Sequence, residues 1–375
     1  MDSTQKIDWQ SDQSLLFLNP RLSLQESTQL KSLFDKFNVF PGHIWLASSG
    51  SSQKSQDSVK LIALPKIAFL IAAQSVNTHL GLTSKDKWLQ ILPRFHVGGL
   101  SIEAREFVGG AQAIEAPESL RQKWSPHEFQ KVCAEKEPTW LSLVPTQVFD
   151  LVEHQIKCPS SIRGVVVGGG ALSEDLYLKA KQLGYPLLPS YGMTETCGQI
   201  ATAKSEEEWH KTKSVPILDH VKVRTTEDQI LEISSPSLLT GFAQIRNGKF
   251  IFEDPKHEMW YTTSDRVLIE NNHLKFLGRL GEYVKILGEG VDLVRLREVL
   301  SKVSGTNSEK LFLTSKPDPR SGHQLFLYSE LGESETKSLI EQFNAQVLPY
   351  ERITNHKADH KLLRTALGKI KAEQD

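Results

Sequence analysis

Cysteine is scarce in this chain, with three in 375 residues, at Cys133, Cys158 and Cys197. Three thiols cannot build a disulfide framework and no two stand in Cys-x-x-Cys spacing, so neither a disulfide scaffold nor structural zinc is expected. Long apolar runs are missing too. The longest, Ile67 to Ala73, is far short of the roughly 20 residues that a bilayer span needs. The opening MDSTQKIDWQ is polar and mixed in charge, with no apolar signal core behind it. Nor is there an excess of either charge: 44 Lys and Arg against 45 Asp and Glu leave a net of −1. That balance gives no electrostatic reason to expect nucleic acid or an anionic membrane as partner. Repeats and low-complexity tracts are absent. What remains is the composition of a cytoplasmic globular protein, and at about 150 residues per domain the length suits two domains.

Three segments carry pattern. Ser48 to Ser58 is an eleven-residue polar stretch with six serines, set between the strand-like His43–Ala47 and a helical stretch. In that stretch Phe69, Ala72, Ala73, Val76 and Leu80 share one face. The second segment is a βαβ unit. Apolar Arg163–Val167 runs into Gly168-Gly169-Gly170, Ser173 caps a helix with Glu174 and Asp175 in its first turn, and Gly184 closes it. A second strand, Tyr185–Pro189, leads into a loop, Ser190-Tyr191-Gly192-Met193-Thr194-Glu195-Thr196. Strands alternating with helices predict an α/β fold with parallel pairing and functional loops at the strand C-terminal ends. The third segment is a small α+β unit beyond about residue 280, with helices over 293–303 and 334–347 and short strands over 310–314 and 324–329.

Three Gly/Ser/Thr-rich turns each follow a strand, and that placement suits phosphate. Small residues let backbone N–H groups approach concentrated negative charge, and hydroxyls add mobile donors. Read singly, each of these turns is more often an ordinary surface loop. Their order along the chain is what matters. The Ser190–Thr196 segment is similar to the adenine- and phosphate-binding loop of the acyl-adenylate-forming enzymes, the family of acyl-CoA synthetases, luciferases and adenylation domains. Trp260-Tyr261-Thr262-Thr263-Ser264-Asp265 resembles that family's ribose motif, with Ser264 where glycine is usual. Gly278-Arg279 onward resembles its hinge, and Gly288-Glu289-Gly290-Val291 the glycine turn behind it. Within the family, Leu80–Leu89 and Leu92–Ser101 resemble the o-succinylbenzoate–CoA ligases of menaquinone biosynthesis, and the Gly168–Gly170 turn and Cys197-Gly198-Gln199-Ile200 suit the same branch.

The resemblance implies a fold and a set of roles. The expected fold is a large N-terminal lobe of mixed, largely parallel sheets with helices, residues 1–279, followed by a small mobile α+β lid, residues 280–375. ATP, Mg²⁺ and coenzyme A are the implied cofactors and co-substrates, and a small carboxylic acid the implied substrate. Ser49, Gly50, Ser51 and Ser52 would cradle phosphate, Gly168, Gly169 and Gly170 would let the nucleotide lie against the backbone, and Tyr191 would stack on adenine beside Gly192 and Met193. Thr194 would contact phosphate, Glu195 would hold Mg²⁺, and Asp265 and Arg279 would reach the ribose. His96 would sit beside the reacting carboxylate. Arg105 is an ordinary solvated helix residue on its own pattern. In the ligases an arginine at this place pairs with the second carboxylate of the acid, and Arg94 is an alternative. Two lysines compete for the adenylation role. Lys369 lies in a Gly-Lys motif, whereas Lys361 has Lys-x-x-Arg-x-x-Leu spacing and room behind it for a helix, which favours Lys361.

Two departures qualify the resemblance. Only 47 residues precede Ser48, so much of the family's N-terminal subdomain is expected to be missing, exposing an apolar patch that a second copy of the chain would cover. Gln53 also stands where the phosphate loop has glycine, and the motif's closing Pro-Lys is absent, with Lys54 the nearest substitute. A ligase or adenylation enzyme for another acid and an inactive adenylate-binding remnant are the alternatives.

Overall fold

The computed structural model describes residues 6–364 and 370–371, except 21, 23, 48–59, 206–207, 247, 281, 287–288 and 319–320. Ser49 to Ser52, Lys54, Gly281, Gly288 and Lys369 thus lie outside the described residues. The chain divides into two units. The first takes in Met1–Thr226, Leu231–Thr263 and Ile269–Lys275, and the second Glu227–Ile230, Ser264–Leu268 and Phe276–Asp375.

Strand β1 (Leu15–Phe17), helix α1 (Leu24–Phe37), β2 (His43–Ala47) and β3 (Lys60–Pro65) open the first unit. β3 runs directly into α2 (Lys66–Leu80), where Phe69, Ala72, Ala73 and Val76 of the predicted face are buried, joined by Ala68, while Leu80 at the helix end is only half-buried. Gly81, at φ 62°, ends the helix in a left-handed turn that favours glycine.

Strands and helices then alternate as expected: β4 (Lys87–Gln90), α3 (Val97–Phe107), β5 (Gln112–Glu115), α4 (Glu118–Gln122), α5 (Pro126–Lys136), β6 (Trp140–Leu143), α6 (Pro145–Glu153), β7 (Gly164–Val167), α7 (Glu174–Gln182) and β8 (Leu187–Met193). Ser173 caps α7 by accepting the Leu176 N–H at 3.2 Å. β6 and β7 are buried from end to end, as apolar strands flanked by helices on both faces must be. The sheet order is β5-β4-β6-β7-β8, parallel throughout, with β9 (Gly198–Thr202) added antiparallel to β8. From β4 the chain steps to β5 on one side and later crosses to β6 on the other. The order therefore reverses between β4 and β6, and the loops at those strand ends part to leave a crevice.

One expectation shifts here. β8 starts at Leu187 and continues through Ser190-Tyr191-Gly192-Met193, where the sequence pattern predicts a loop. Its far half leaves the parallel ladder and pairs with β9 through a bulge between Tyr191 and Gly192. The pairing hides in sequence because neither half alternates.

The chain continues through α8 (Trp209–Thr212), β10 (Ser214–Pro216), β11 (Lys222–Thr225), β12 (Ile230–Ser234), β13 (Gly241–Arg246), β14 (Lys249–Glu253), β15 (Lys256–His257), β16 (Trp260–Glu270) and β17 (His273–Arg279). β13 and β14 complete a sheet ordered β1-β2-β3-β13-β14, and the others form a sheet ordered β10-β17-β16-β12-β11 with β15 on β16. Parallel pairing dominates only the first-described sheet.

In the second unit β18 (Tyr283–Ile286) and β19 (Glu289–Asp292) pair as a hairpin, followed by α9 (Leu293–Ser304), β20 (Leu311–Asp318), β21 (Gly322–Ser329), α10 (Glu333–Asn344) and β22 (Ile353–Lys357). Asp292 caps α9 by accepting from the Val294 and Arg295 N–H groups. Leu296, Leu313, Leu327 and Phe343 centre the core, so the expected α+β character holds. Most of the helix expected behind Lys361 falls on residues 365–369 and 372–375, which lie outside the described residues. Arg364 pairs with Ile370 in an antiparallel bridge, and the Lys371 N–H bonds the Leu363 carbonyl at 2.8 Å. The buried Leu362 donates its N–H to Glu330, and Arg364 donates to the Glu309 carbonyl. Among the described residues no helix is long and apolar enough to cross a membrane.

Candidate active site at the strand ends of the parallel sheet

The crevice-side ends of β4, β6, β7 and β8 carry, in order, the His96 loop, Val144, the Gly168–Gly170 turn and the Tyr191–Thr196 segment. The sheet thus gathers along one edge four stretches spread over about 100 residues. His96 is the N-cap of α3, with its N–H bonded to the Pro93 carbonyl at 3.1 Å. A Cβ on Gly99 would meet the Pro93 oxygen at 2.3 Å, so glycine alone lets this loop fold back onto its helix. Gly169 adopts φ 75°, and a Cβ on Gly168 would touch Ser190 Oγ at 3.0 Å, which places the glycine turn against the start of the Tyr191 segment.

The Thr194–Thr196 turn is built for rigidity. Thr196 is fully buried, and its hydroxyl bonds the Met193 carbonyl at 3.0 Å and the Gly198 carbonyl at 2.9 Å. The Ser101 hydroxyl on α3 donates to the Val97 carbonyl at 2.7 Å and also lies 3.3 Å from the Cys197 carbonyl, which sets the turn against the helix behind His96. Tyr191, Thr194 and Glu195 stay partly exposed on this frame. Gly192 cannot be replaced without opening the hairpin, because a Cβ there would lie 2.1 Å from the Gly198 oxygen. Gly192→Ala is expected to destabilise the first unit by about 1–3 kcal/mol, seen as a lower urea midpoint together with weaker nucleotide binding.

Glu195 has a cationic neighbour that the sequence reading missed. Lys60 opens β3, immediately after the 48–59 stretch; its ammonium sits 3.1 Å from the centroid of Phe242. Burial pushes Lys60 below the usual lysine range, while the fields of Glu195 and Glu253 pull it back up. The signal was present in sequence as a lysine heading the apolar strand Leu61–Leu64 directly behind a serine-rich loop. Lys54, the nearest lysine within the serine-rich loop, lies outside the described residues.

Arg105 and Arg94, interchangeable on the page of sequence, are separated by structure. Arg94 is spent on Glu103, with Nε at 2.7 Å and Nη2 at 2.9 Å from the two carboxylate oxygens. Gln90 holds the same carboxylate at 2.9 Å. Arg105 is 4% exposed, on the inner face of α3, not on a solvated one. Its guanidinium lies 4.5 Å over the Trp88 ring, and Trp88 stacks on Trp140. Nη2 donates to Gln199 Oε1, while Nε and Nη1 are buried with no acceptor among the described residues. Burial pushes this guanidinium down to about 9. Leaving a cation buried without a counter-ion is costly, and this one has cation–π contact but no carboxylate among the described residues.

Asp265 and Arg279 belong to the second unit, where structure does bring them together. Asp265 is buried, and Arg279 Nε approaches its Oδ1 at 2.7 Å while keeping 55% of its side chain exposed. The Arg279 N–H bonds Glu282 at 3.0 Å, which also pairs with Arg297. Lys361 is exposed in the same unit. Among the described residues no group of three His, Cys, Asp or Glu side chains could hold a metal. Glu195 alone could still hold Mg²⁺, which commonly takes one or two carboxylates and completes its shell with phosphate oxygens and water.

Residues 62–233 match the AMP-binding enzyme family. The 2-succinylbenzoate–CoA ligase of Enterococcus faecalis is 25% identical over 96% of this chain and 83% of its own length. That of Bacillus subtilis is 29% identical over 61% of this chain, which spans only 48% of that relative. Among solved structures, o-succinylbenzoate–CoA synthetase (MenE) from Bacillus subtilis in complex with the acyl-adenylate intermediate OSB-AMP superposes with a TM-score of 0.77, covering 95% of this chain and 81% of that one. At 20% identity this last likeness speaks for the fold.

Proposed function

We propose, from the premise that this chain carries a domain of the AMP-binding enzyme family, that it is an ATP-dependent acid–CoA ligase acting on o-succinylbenzoate in menaquinone biosynthesis. The observation that carries this choice of acid is Arg105. A dicarboxylic acid activated at one end needs a cation for the other, and Arg105 holds two acceptorless N–H groups beside an aromatic floor. The charge-assisted bonds to a carboxylate that it lacks are among the stronger ones available to a buried group.

The reaction runs in two steps. The acid carboxylate attacks the α-phosphorus of ATP and pyrophosphate leaves; the CoA thiolate then attacks the acyl carbonyl and AMP leaves. Tyr191 stacks on adenine while Gly168, Gly169 and Gly170 let the nucleotide approach the backbone, with Gly192 and Met193 completing that wall. Thr194 donates to phosphate, and Glu195 holds Mg²⁺, which when bound offsets the triphosphate charge. His96 orients the reacting carboxylate. Asp265 accepts from the ribose hydroxyls, held by Arg279. Residues 280–375 act as a mobile lid that brings in a lysine for the first step and withdraws it for the second. The Ser49–Ser52 cradle is retained as part of this proposal.

Lys60 supplies the cation for the β- and γ-phosphates, a role supported by its place behind the serine loop and its electrostatic link to Glu195. Lys60→Met is expected to raise the KM for ATP about tenfold, as loss of a charged hydrogen bond would, with the KM for the acid unchanged. Parallel initial-rate titrations of the two substrates check this.

Pyrophosphate release measured across aromatic dicarboxylic acids tests the whole assignment. Release with o-succinylbenzoate alone supports it, release with a different acid reassigns the substrate, and nucleotide binding without release points to an inactive remnant. A cytoplasmic location, a homodimer and the absence of nucleic-acid binding belong to the same proposal; sedimentation in solution checks the dimer.

A further inference from the structure

We infer that Gln199 is the positioning residue of the acid pocket, orienting the Arg105 guanidinium without neutralising it. This deepens the proposed ligase activity and rests on it. Three restraints act on the guanidinium. Trp88 lies against it, with the guanidinium carbon 4.5 Å from the ring centroid, and Trp140 backs Trp88 with ring centroids 5.5 Å apart. Gln199 Oε1 takes one N–H of Nη2. The Gln199 amide is itself locked, since its Nε2 donates to Thr202 Oγ1 at 2.6 Å. Thr202 is fully buried, and its carbonyl accepts from His79 Nε2 at 2.8 Å. Oxygen toward Arg105 and nitrogen toward Thr202 is therefore the orientation in which both ends of the amide are satisfied.

An amide rather than a carboxylate at this place has a consequence. Glutamate has the same length and would reach the same guanidinium, and a buried Arg–Glu pair would cancel the charge. The pocket would then have no unpaired cation left to attract the second carboxylate of a substrate. Glutamine supplies geometry only. It leaves Nε and Nη1 buried without an acceptor among the described residues, so pairing with the acid relieves a desolvation cost already present in the free protein. Arg105 touches substrate in this scheme, and Gln199 acts through it.

Melting temperatures and initial-rate kinetics of Gln199→Glu and Gln199→Ala, each with and without Arg105→Leu, test the inference. Gln199→Glu is expected to raise the melting temperature, and the rise should vanish in the Arg105→Leu background, because only the new ion pair produces it. The same variant should raise the KM for o-succinylbenzoate at least tenfold while leaving the KM for ATP within about twofold. Gln199→Ala should raise the acid KM less and lower the melting temperature. A Gln199→Glu protein that melts lower, or binds the acid as well as the parent, overturns the inference. If the parent chain shows no activity with o-succinylbenzoate, the ligase assignment fails on its own. The melting-temperature cycle then still decides whether Gln199 holds Arg105.

Discussion

Lys361→Ala is expected to slow pyrophosphate release about 10²–10³-fold, the scale on which one preorganised charge at a reacting centre acts. Thioester formation from pre-made acyl-adenylate should be spared, and Lys369→Ala should stay within about threefold of the parent in both half-reactions. The preference for Lys361 rests on its Lys-x-x-Arg-x-x-Leu spacing and on the room behind it for a helix. Lys369 and residues 365–368 before it lie outside the described residues. Lys361 is exposed, and the residues just after it are tied by Leu362 and Arg364 to Glu330 and Glu309. We therefore propose Lys361 as the adenylation lysine. Separate assays of the two half-reactions distinguish the variants, and a Lys369→Ala protein that loses only adenylation would reverse the proposal.

Arg105→Leu should raise the KM for o-succinylbenzoate on the order of 10²-fold or more, since it strands a substrate carboxylate in a buried pocket at a cost of about 3–5 kcal/mol. The KM for ATP should change less than about twofold. The protein itself should be as stable as its parent or more so, because the substitution removes a buried cation that lacks a counter-ion among the described residues. That combination is the useful part. A residue that merely shapes the core would lower stability and damage both substrates together. Equal losses for acid and ATP, or a lower melting temperature with an unchanged acid KM, would take Arg105 out of its assigned role.

The two arginines show where sequence reading stops. Arg94 and Arg105 both follow β4, both sit near a histidine, and no periodicity separates them. Their difference is one of partners: Glu103, nine residues from Arg94, takes its guanidinium in one hydrogen bond and a close ion-pair contact, whereas Arg105 turns inward onto Trp88. Gln199 was visible as part of a motif but not as a partner of Arg105, because the two are 94 residues apart and meet only when β9 packs beside α3. Lys60 is legible in principle, as the lysine at the head of a strand, but Lys54 within the loop competes with it in sequence, and only the folded chain sets Lys60 in the field of Glu195.

Local chemistry settled much in advance. Apolar runs bounded by glycine, serine caps and alternating strands with helices predicted the α/β architecture, the α+β character of the later residues and the ordered string of glycine turns. Those features depend on neighbours within a few positions, so the chain alone carries them. The antiparallel turn of β8 onto β9, the anchoring of Leu362 and Arg364 just behind Lys361 and the inward arginine with its amide holder arise from hydrogen bonds and burial between residues far apart in sequence. Only the folded chain brings those groups within bonding distance, and so only tertiary structure decided them.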